Sequence, residues 1–363
     1  LSEEKREEKA ISRRKYLGAI GGVGAAAAVG WGLAGYLASR PPAPAAVRTV
    51  TETKTETKTV MGTVTAATEK PGKGLRFRCI NHGMARAFFI AIKKGWEEAC
   101  NWLGVEQETV WCESDINLQV ARIKEAIAEG VDGISTALVV TESFKDVVKE
   151  AMDKGIPVVS HNIDDPGTER LAFTGQNFIT TGYMIGRKMI EKYGLGKGDH
   201  VLLSAEFPTM TYAIERGPKG VGRALDEVGA TWELLESTAD WATAEERITS
   251  YLQGHPETTA MIGLGEIPTG TMGKVAEKLG YKPEEMPIGG FDTGPVILEY
   301  VKKGYIYISA DQQPFLQGYI PAVQLYLYCQ YKFMPDDYDT GKGVITKENA
   351  EEYEKFIKMG VKC

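Results

Sequence analysis

The sequence predicts an α/β protein: two doubly wound parallel-sheet lobes with a hinge and an interlobe ligand cleft. Two observations predict it. From residue 75 onward, short apolar runs alternate with amphipathic stretches of helical spacing, and the series restarts near residue 177. Polar groups and aromatic rings also recur where the apolar runs end, and at Asp311-Gln312-Gln313 they stand where a surface turn would more readily take Gly, Asn or Ser.

The elements follow in order. "LRFRCIN" reads as a strand, and "FFIAIKKGWEEACNWLG" places Phe88, Ile92, Trp96, Ala99 and Leu103 on one helical stripe. "QETVWC", "VDGISTAL" and "IPVVSHN" read as further strands. The helices "INLQVARIKEAIAEG" and "ESFKDVVKEAMDKG" separate them, each ending at a glycine that suits a left-handed cap. "LAFTG" is a short strand before the helix "TTGYMIGRKMIEKYG". The rhythm restarts with "DHVLLSAE" and continues through "TWELLES", "TTAMIGLG" and "MPIGGFD", each followed by a helical stretch. Such alternation means βαβ units and parallel sheets.

In sheets of this kind, ligands bind outside the carboxyl ends of the strands. Those ends carry His82, Cys112 and Glu113, Ala137, His161 and Asn162, Glu206 and Phe207, Asp240 and Trp241, Gly265 and Glu266, Asp292, and Asp311 and Gln312. The mixture of polar groups and aromatic rings suits a small polar ligand with apolar faces. Helix capping is the other reading for Asp292 and Glu266. The stretch "ISADQQPFLQGY" stands out. Asp311, Gln312 and Gln313 come together where a strand stops, and a helix begins at Pro314. That arrangement suits a crossing between lobes whose side chains also face the cleft.

Composition narrows the function. The chain has 363 residues, is 43% hydrophobic and 25% charged, and carries a net charge of −7. This is long enough for two domains and too acidic overall for a broad nucleic-acid footprint. The four histidines stand far apart, the five cysteines form no CxxC, and no metal site or cofactor is expected. Buried free thiols are the simpler expectation for the cysteines, and an exported domain leaves a Cys79–Cys112 disulfide open. No G-x-G-x-x-G follows a strand; "GLGEIPTG" has Pro268 where the third glycine would stand. There is no P-loop, no G-x-S-x-G elbow and no H-E-x-x-H. No catalytic residue is therefore predicted.

The N-terminal region reads as an address. "SRRKYLG" places Arg13 and Arg14 before a Gly- and Ala-rich run that is uncharged from Tyr16 to Ala38. It resembles a twin-arginine export signal, and its length also suits an uncleaved membrane anchor. Residues 40–74, with Thr-Glu-Thr-Lys twice in succession, hold too few apolar side chains for a core and read as a Thr/Pro-rich disordered stalk. The expected division is therefore 1–39 signal or anchor, 40–74 stalk, 75–176 plus 312–335 N-terminal lobe, and 177–311 plus 336–363 C-terminal lobe.

Six stretches carry a family resemblance: "ARAFFIAIKKGWEEA", "GIPVVSHNID", "FTGQNFITTGYMIGR", "ERGPKGV", "GGFDTGP" and "ISADQQPFLQGY". Over about residues 75–347 the chain resembles the periplasmic sugar-binding proteins of ABC importers in the ribose-binding class, which have the type I periplasmic-binding-protein fold. The resemblance implies that Phe88 and Phe89 stack on a sugar and that Asn162 bonds its hydroxyls. It places a further aromatic at Trp241, a polar residue at Gly265 or Glu266, an aspartate at Asp292 and the crossover glutamine at Gln312. Arg86 adds a charge close to the first helix. The ribose binders carry an Asp-Arg pair where this chain has Asn162-Ile163, and an arginine where it has Ile214, so ribose bound in the ribose manner is not expected. The implied partners are a sugar or polyol and an ABC permease with its ATPase, with no nucleic acid, and a membrane only through the N-terminal segment. The implied place is the cell surface or periplasm, tethered to the membrane. A surface ligand sensor is the rival reading, and an extracellular carbohydrate-active enzyme stands behind it.

Overall fold

The computed structural model describes residues 69–140 and 142–362; the segment expected to be an export signal or anchor, and most of the expected stalk, lie outside the described residues. Two six-stranded sheets organise the described part. The first is built on β1 (Arg76–Asn81), β2 (Glu106–Trp111), β3 (Gly133–Thr136), β4 (Val158–His161) and β5 (Phe173–Gly175). The second is built on β6 (His200–Ala205), β7 (Thr231–Glu236), β8 (Thr258–Gly263), β9 (Ile288–Phe291) and β10 (Ile308–Asp311). All of these pair in parallel.

Central strands are buried on both faces, as helices on either side require. β1 buries every residue after Arg76, whereas the edge strand β2 exposes Glu106 and Glu108. Charged side chains on an edge discourage pairing with other chains. In the first lobe the covering helices are α1 (Ala87–Leu103), α2 (Ile116–Glu129) and α3 (Lys145–Asp153). In the second they are α4 (Phe178–Tyr193), α5 (Thr211–Arg216), α6 (Trp241–Gly254), α7 (Glu266–Lys278) and α8 (Pro295–Lys303). α5 runs on through a wide π-helical stretch at Gly217–Gly222 into Arg223–Asp226. Side-chain caps start three of these helices: Asp115 accepts from Leu118 N, Asn177 from Thr180 N and Asp240 from Thr243 N.

After β10 the chain returns to the first lobe as α9 (Pro314–Tyr331), which lies against α1. The approach is close because Gly95 and Gly318 face it. A Cβ on Gly95 would stand 1.9 Å from Phe315 O, and one on Gly318 would stand 1.9 Å from Ile92 O. Trp96, fully buried, fills the space beside this crossing with Phe77, Leu325 and Tyr326.

Two boundaries differ from the expected ones. Tyr338–Asp339 forms β11, which pairs in parallel with β5 of the first sheet. The last crossing therefore falls after residue 339 and not at 335–336. The cause is local: Asp337 Oδ1 accepts from Phe173 N at 2.8 Å and pairs with Arg170 NH1 at 2.6 Å, which fastens this segment to the first lobe. Beyond it, β12 (Gly343–Ile345) pairs antiparallel with β10, and α10 (Ala350–Lys358) closes the second lobe. The second difference is at the other end. Residues 69–74, expected as stalk, pack on the first lobe. Gly72 N donates to Leu103 O at 2.7 Å, and Gln330 Nε2 donates to Pro71 O at 2.8 Å. Gly72 is buried because a Cβ there would meet Val105 at 2.6 Å.

The described cysteines, Cys79, Cys100, Cys112 and Cys329, are free thiols, so the Cys79–Cys112 disulfide is not formed. Burial pushes Cys100 up to about 12 and Cys112 up to about 11, which keeps both protonated and unreactive. Among the described residues no helix is long and apolar enough to cross a membrane.

A chain beginning at Leu75 is expected to be less stable than one beginning at Ala67 by about 1–3 kcal/mol, the worth of two hydrogen bonds at roughly 0.5–1.5 kcal/mol each. Urea denaturation of the two chains measures this; equal midpoints and slopes would show that residues 69–74 contribute nothing.

Candidate ligand-binding cleft

The chain crosses between lobes three times: at Gln176–Asn177 after β5, at Gln312–Gln313 after β10, and at residues 340–342 after β11. The crossings are bonded to one another. Asp339 Oδ1 accepts from Asn177 N at 3.0 Å and from Gly341 N at 2.8 Å. Gln313 Nε2 donates to Thr340 O at 2.7 Å. The cleft opens where the carboxyl ends of both sheets meet these crossings.

The first wall comes from the ends of β1 and β4 and the start of α1. Phe88 and Phe89 are half-buried and meet edge to face, with ring centroids 5.2 Å apart. Phe89 also meets the His82 ring at 4.9 Å and lies so close over Gly83 that a Cβ there would strike its ring at 2.2 Å. Burial lowers the His82 pKa to about 4, so its imidazole is neutral. Behind it His161 is also neutral, lowered to about 3 by burial and then by His82. Its Nδ1 lies 2.8 Å from Ser135 Oγ and its Nε2 lies 3.4 Å from Asn81 Oδ1. The buried Asn81 Nδ2 and His82 Nδ1 find no partner within the described residues. Buried polar atoms left in this state are uncommon in folded proteins. Arg86 is exposed and immediately precedes α1.

Asn162 sits at the end of β4 with a left-handed backbone (φ 64°), a conformation that Asn tolerates better than most residues. Its side chain is 6% exposed, and its Nδ2 donates to Gln317 Oε1 at 3.0 Å. The predicted hydroxyl-binding amide thus also serves the structure behind the wall.

The second wall is acidic. Asp292 follows β9 in a left-handed conformation (φ 73°). It caps no helix: Gly294 precedes α8, and the Asp292 carboxylate accepts from Gln312 Nε2 at 2.7 Å instead. Glu266 is the first residue of α7 and makes no capping bond, so the capping reading fails there as well. Glu266 keeps contact with solvent although protein atoms surround it on most sides. Burial first, then the charges of Asp292 and Glu206, raise its pKa from 4.5 to about 7, and Arg86 opposes the rise. Arg86 belongs to the first lobe and Glu266 to the second. Trp241, 37% exposed, begins α6 and lies over Gly270, where a Cβ would stand 3.0 Å from its ring.

Sequence reasoning did not single out Glu206 and Arg216 as site residues. Glu206 appeared only among the strand ends. Its carboxylate accepts from Tyr212 Oη at 2.9 Å and from Ile267 N at 3.2 Å, and burial raises its pKa. Arg216, 3% exposed, lies under the wall. Its guanidinium packs on Phe291 at 4.7 Å, Phe178 at 4.8 Å and Tyr212 at 5.5 Å. It donates from Nε to Gln176 Oε1 at 3.0 Å and from NH1 to Leu264 O at 2.8 Å, and it comes within 3.9 Å of Asp292. The signal that would have found it is its place in "ERG", one turn into the helix after β6. Gln312 and Asp292 are brought together, as are Phe88 with Phe89. Trp241 and Glu266 begin neighbouring helices of the second wall, and Arg86 stands opposite.

Two lobes with a bonded three-strand hinge and a cleft of aromatic and acidic walls define a two-lobed ligand-binding protein. The family model described as periplasmic binding protein domain matches residues 78–332, and the chain belongs to this family. It is 27% identical over 291 residues to the xylose/arabinose-binding protein XylF of Sulfolobus acidocaldarius, covering 76% of this chain and 71% of that protein. It is 25% identical over 257 residues to a D-ribose/D-allose-binding protein of Pseudomonas aeruginosa, covering 67% and 77%. Among solved structures it is similar to GanP, a glucose-galactose binding protein from Geobacillus stearothermophilus. That match has a TM-score of 0.67 and 27% identity, over 76% of this chain and 98% of that one. A solute-binding protein from Burkholderia graminis in complex with D-arabinose gives a TM-score of 0.69 and 25% identity, over 77% and 98%.

The raised Glu266 pKa has a consequence for pH. Between the ordinary 4.5 and about 7 the folded protein holds a proton that the unfolded chain has released. Stability is then expected to fall as pH rises through this window. Glu266→Gln should flatten that part of the profile. Denaturation midpoints of both proteins at pH 4.5, 6 and 7.5 measure it; parallel profiles would mean that Glu266 titrates normally.

Proposed function

We propose that the protein is an extracytoplasmic solute-binding protein that captures a sugar or polyol by hinge closure and delivers it to an ABC importer. The observation that carries this reading is the Gln312–Asp292 bond, which joins a hinge crossing to the acidic wall. A hydroxyl held by Asp292 then acts on the same side chains that the crossing uses. Closure needs differential contact with the closed form, and a ligand touching both walls supplies it.

The chemistry of the walls suits a polyhydroxylated ligand. Phe88 and Phe89 on one side and Trp241 on the other cover its C–H faces, at small cost in side-chain entropy. Asp292 accepts from a hydroxyl, and a charge-assisted bond of this kind is the strong one, while Glu266 and Glu206 offer further polar oxygens to the ligand. Asn81 and His82 complete the first wall with free donor or acceptor atoms. The named relatives, which bind xylose, arabinose, ribose and allose, support a monosaccharide. They are binding proteins, which supports capture without chemistry. The partner is a permease with its ATPase. Arg13 and Arg14 support export, and the apolar run after them supports a membrane tether with the Thr/Pro-rich segment as spacer.

A thermal-shift panel of D-xylose, L-arabinose, D-ribose, D-glucose and xylitol tests ligand class. A ligand at about 100 times its Kd should add roughly 2.7 kcal/mol to the folded state. With that ligand, Asp292→Asn should weaken binding about tenfold or more, since a bond to a charged group is worth roughly 1.5–3 kcal/mol, and Trp241→Ala should weaken it by uncovering an apolar face of the ligand, each while remaining folded. Parental affinity in both would move the site out of this cleft. Replacing Arg13 and Arg14 by Lys should stop export in a host with the twin-arginine pathway; continued export would leave only the anchor reading.

A further inference from the structure

A chain of buried amides runs behind the cleft and touches both walls. Gln317 is its centre. It lies in the first turn of α9 and is 0% exposed. Its Oε1 accepts from Nδ2 of Asn162, the first-wall residue, at 3.0 Å. Its Nε2 donates to Gln312 O at 2.9 Å and to Thr340 Oγ1 at 3.1 Å. Gln312 passes the connection on, from its own Nε2 to Asp292 of the second wall at 2.7 Å. One side chain is thus bonded to the first wall, to the second crossing and to the third. Both amide hydrogens and the oxygen of Gln317 are used, so its orientation is fixed by three separate partners.

The partners belong to parts that move differently. Asn162 and α9 belong to the first lobe. Gln312 and Thr340 lie in crossings, where hinge motion must be absorbed. Gln313 between them holds a left-handed backbone (φ 52°), with its N–H bonded to Asp311 Oδ1 at 2.7 Å. Rotation about this crossing alters the path from Gln312 O to Gln317 and from Gln312 Nε2 to Asp292 together.

We propose that Gln317 is a positioning residue that couples the two ligand walls to the hinge and sets how they stand relative to one another. It touches no ligand. It sets where Asn162 and Gln312 stand, and it makes opening break bonds to two crossings at once. The inference rests on the binding reading above for its ligand arm only.

The test uses Gln317→Leu and, as a milder change that keeps shape, Thr340→Val, which removes one acceptor. Gln324→Leu is the control: Gln324 is on the same helix, and its partners Thr174 and Asp336 both belong to the first-lobe side. Amide hydrogen exchange without ligand is read at residues 312–313 and 340–342, and in β1 and β6. Dissociation of D-xylose is read by stopped flow. Gln317→Leu should speed exchange at the two crossings severalfold, leave β1 and β6 at parental rates, and raise the dissociation rate about tenfold. Thr340→Val should do the same more weakly, and Gln324→Leu should do neither. Parental crossing exchange in folded Gln317→Leu, or in Thr340→Val if the first variant does not fold, overturns the proposal. So does equal acceleration throughout the first lobe, which a merely structural role would give. If D-xylose does not bind the parental protein, the ligand arm uses the best binder of the panel. A panel without any binder sinks the sugar reading, while the exchange result still decides the coupling.

Discussion

The bond between Gln312 and Asp292 is the contact around which the molecule is arranged. It forms only if β9 and β10 lie side by side, if the chain leaves β10 toward the first lobe, and if Asp292 turns its carboxylate back toward the crossing. Three non-glycine residues near it, Asn162, Asp292 and Gln313, have left-handed backbones. Such conformations cost on the order of 1–3 kcal/mol each, with Asn and Asp at the low end. They persist because the surroundings bond them in place: Asp292 N donates to Ala310 O, Asn162 N to Thr174 O, and Gln313 N to Asp311. Three of the left-handed non-glycine residues thus stand beside the crossings between the lobes.

Electrostatics follows the same division. Glu206, Glu266 and Asp292 gather on one wall, and the nearest cation, Arg216, is buried beneath it and already bonded to Gln176 and Leu264. Like charges this close cannot all ionise freely. The protein meets the conflict by letting Glu266 hold a proton near neutral pH and by bonding Glu206 to Tyr212 and the backbone. A neutral ligand rich in hydroxyl donors suits such a wall, because it adds no further charge and satisfies acceptors.

Much of this was legible in the sequence. Alternating apolar and amphipathic runs marked the parallel strands and their helices, because burial on both faces leaves a continuous apolar signal. The crowding of Asp311, Gln312 and Gln313 before Pro314 marked the second crossing, and the strand-end rule marked Asp292, Glu266 and Trp241. Other features left no pattern. β11 has two residues and β12 three, too short for any periodicity, so the third crossing was placed several residues early. Gln317 is a polar residue on a helix face with nothing in its spacing to mark it, and only the fold shows that this face turns inward. Residues 69–74 are poor in apolar side chains, and they are attached through backbone atoms of Pro71 and Gly72 and the side chain of Lys70, which composition does not report.

The crossing of α1 and α9 bears on which sequences can carry this fold. At Gly95 and at Gly318 the atom that a methyl group would strike is a main-chain oxygen of the other helix. A clash with a side chain can be relieved by a new rotamer, and a cavity elsewhere can accept the displaced atoms. A clash with a carbonyl offers no such route, since only separation of the helices relieves it, and that would loosen Trp96 from its neighbours. These two positions are therefore closed to drift although neither borders the cleft, while the exposed residues around them are free to vary. Compensating change at a neighbouring side chain cannot reopen them.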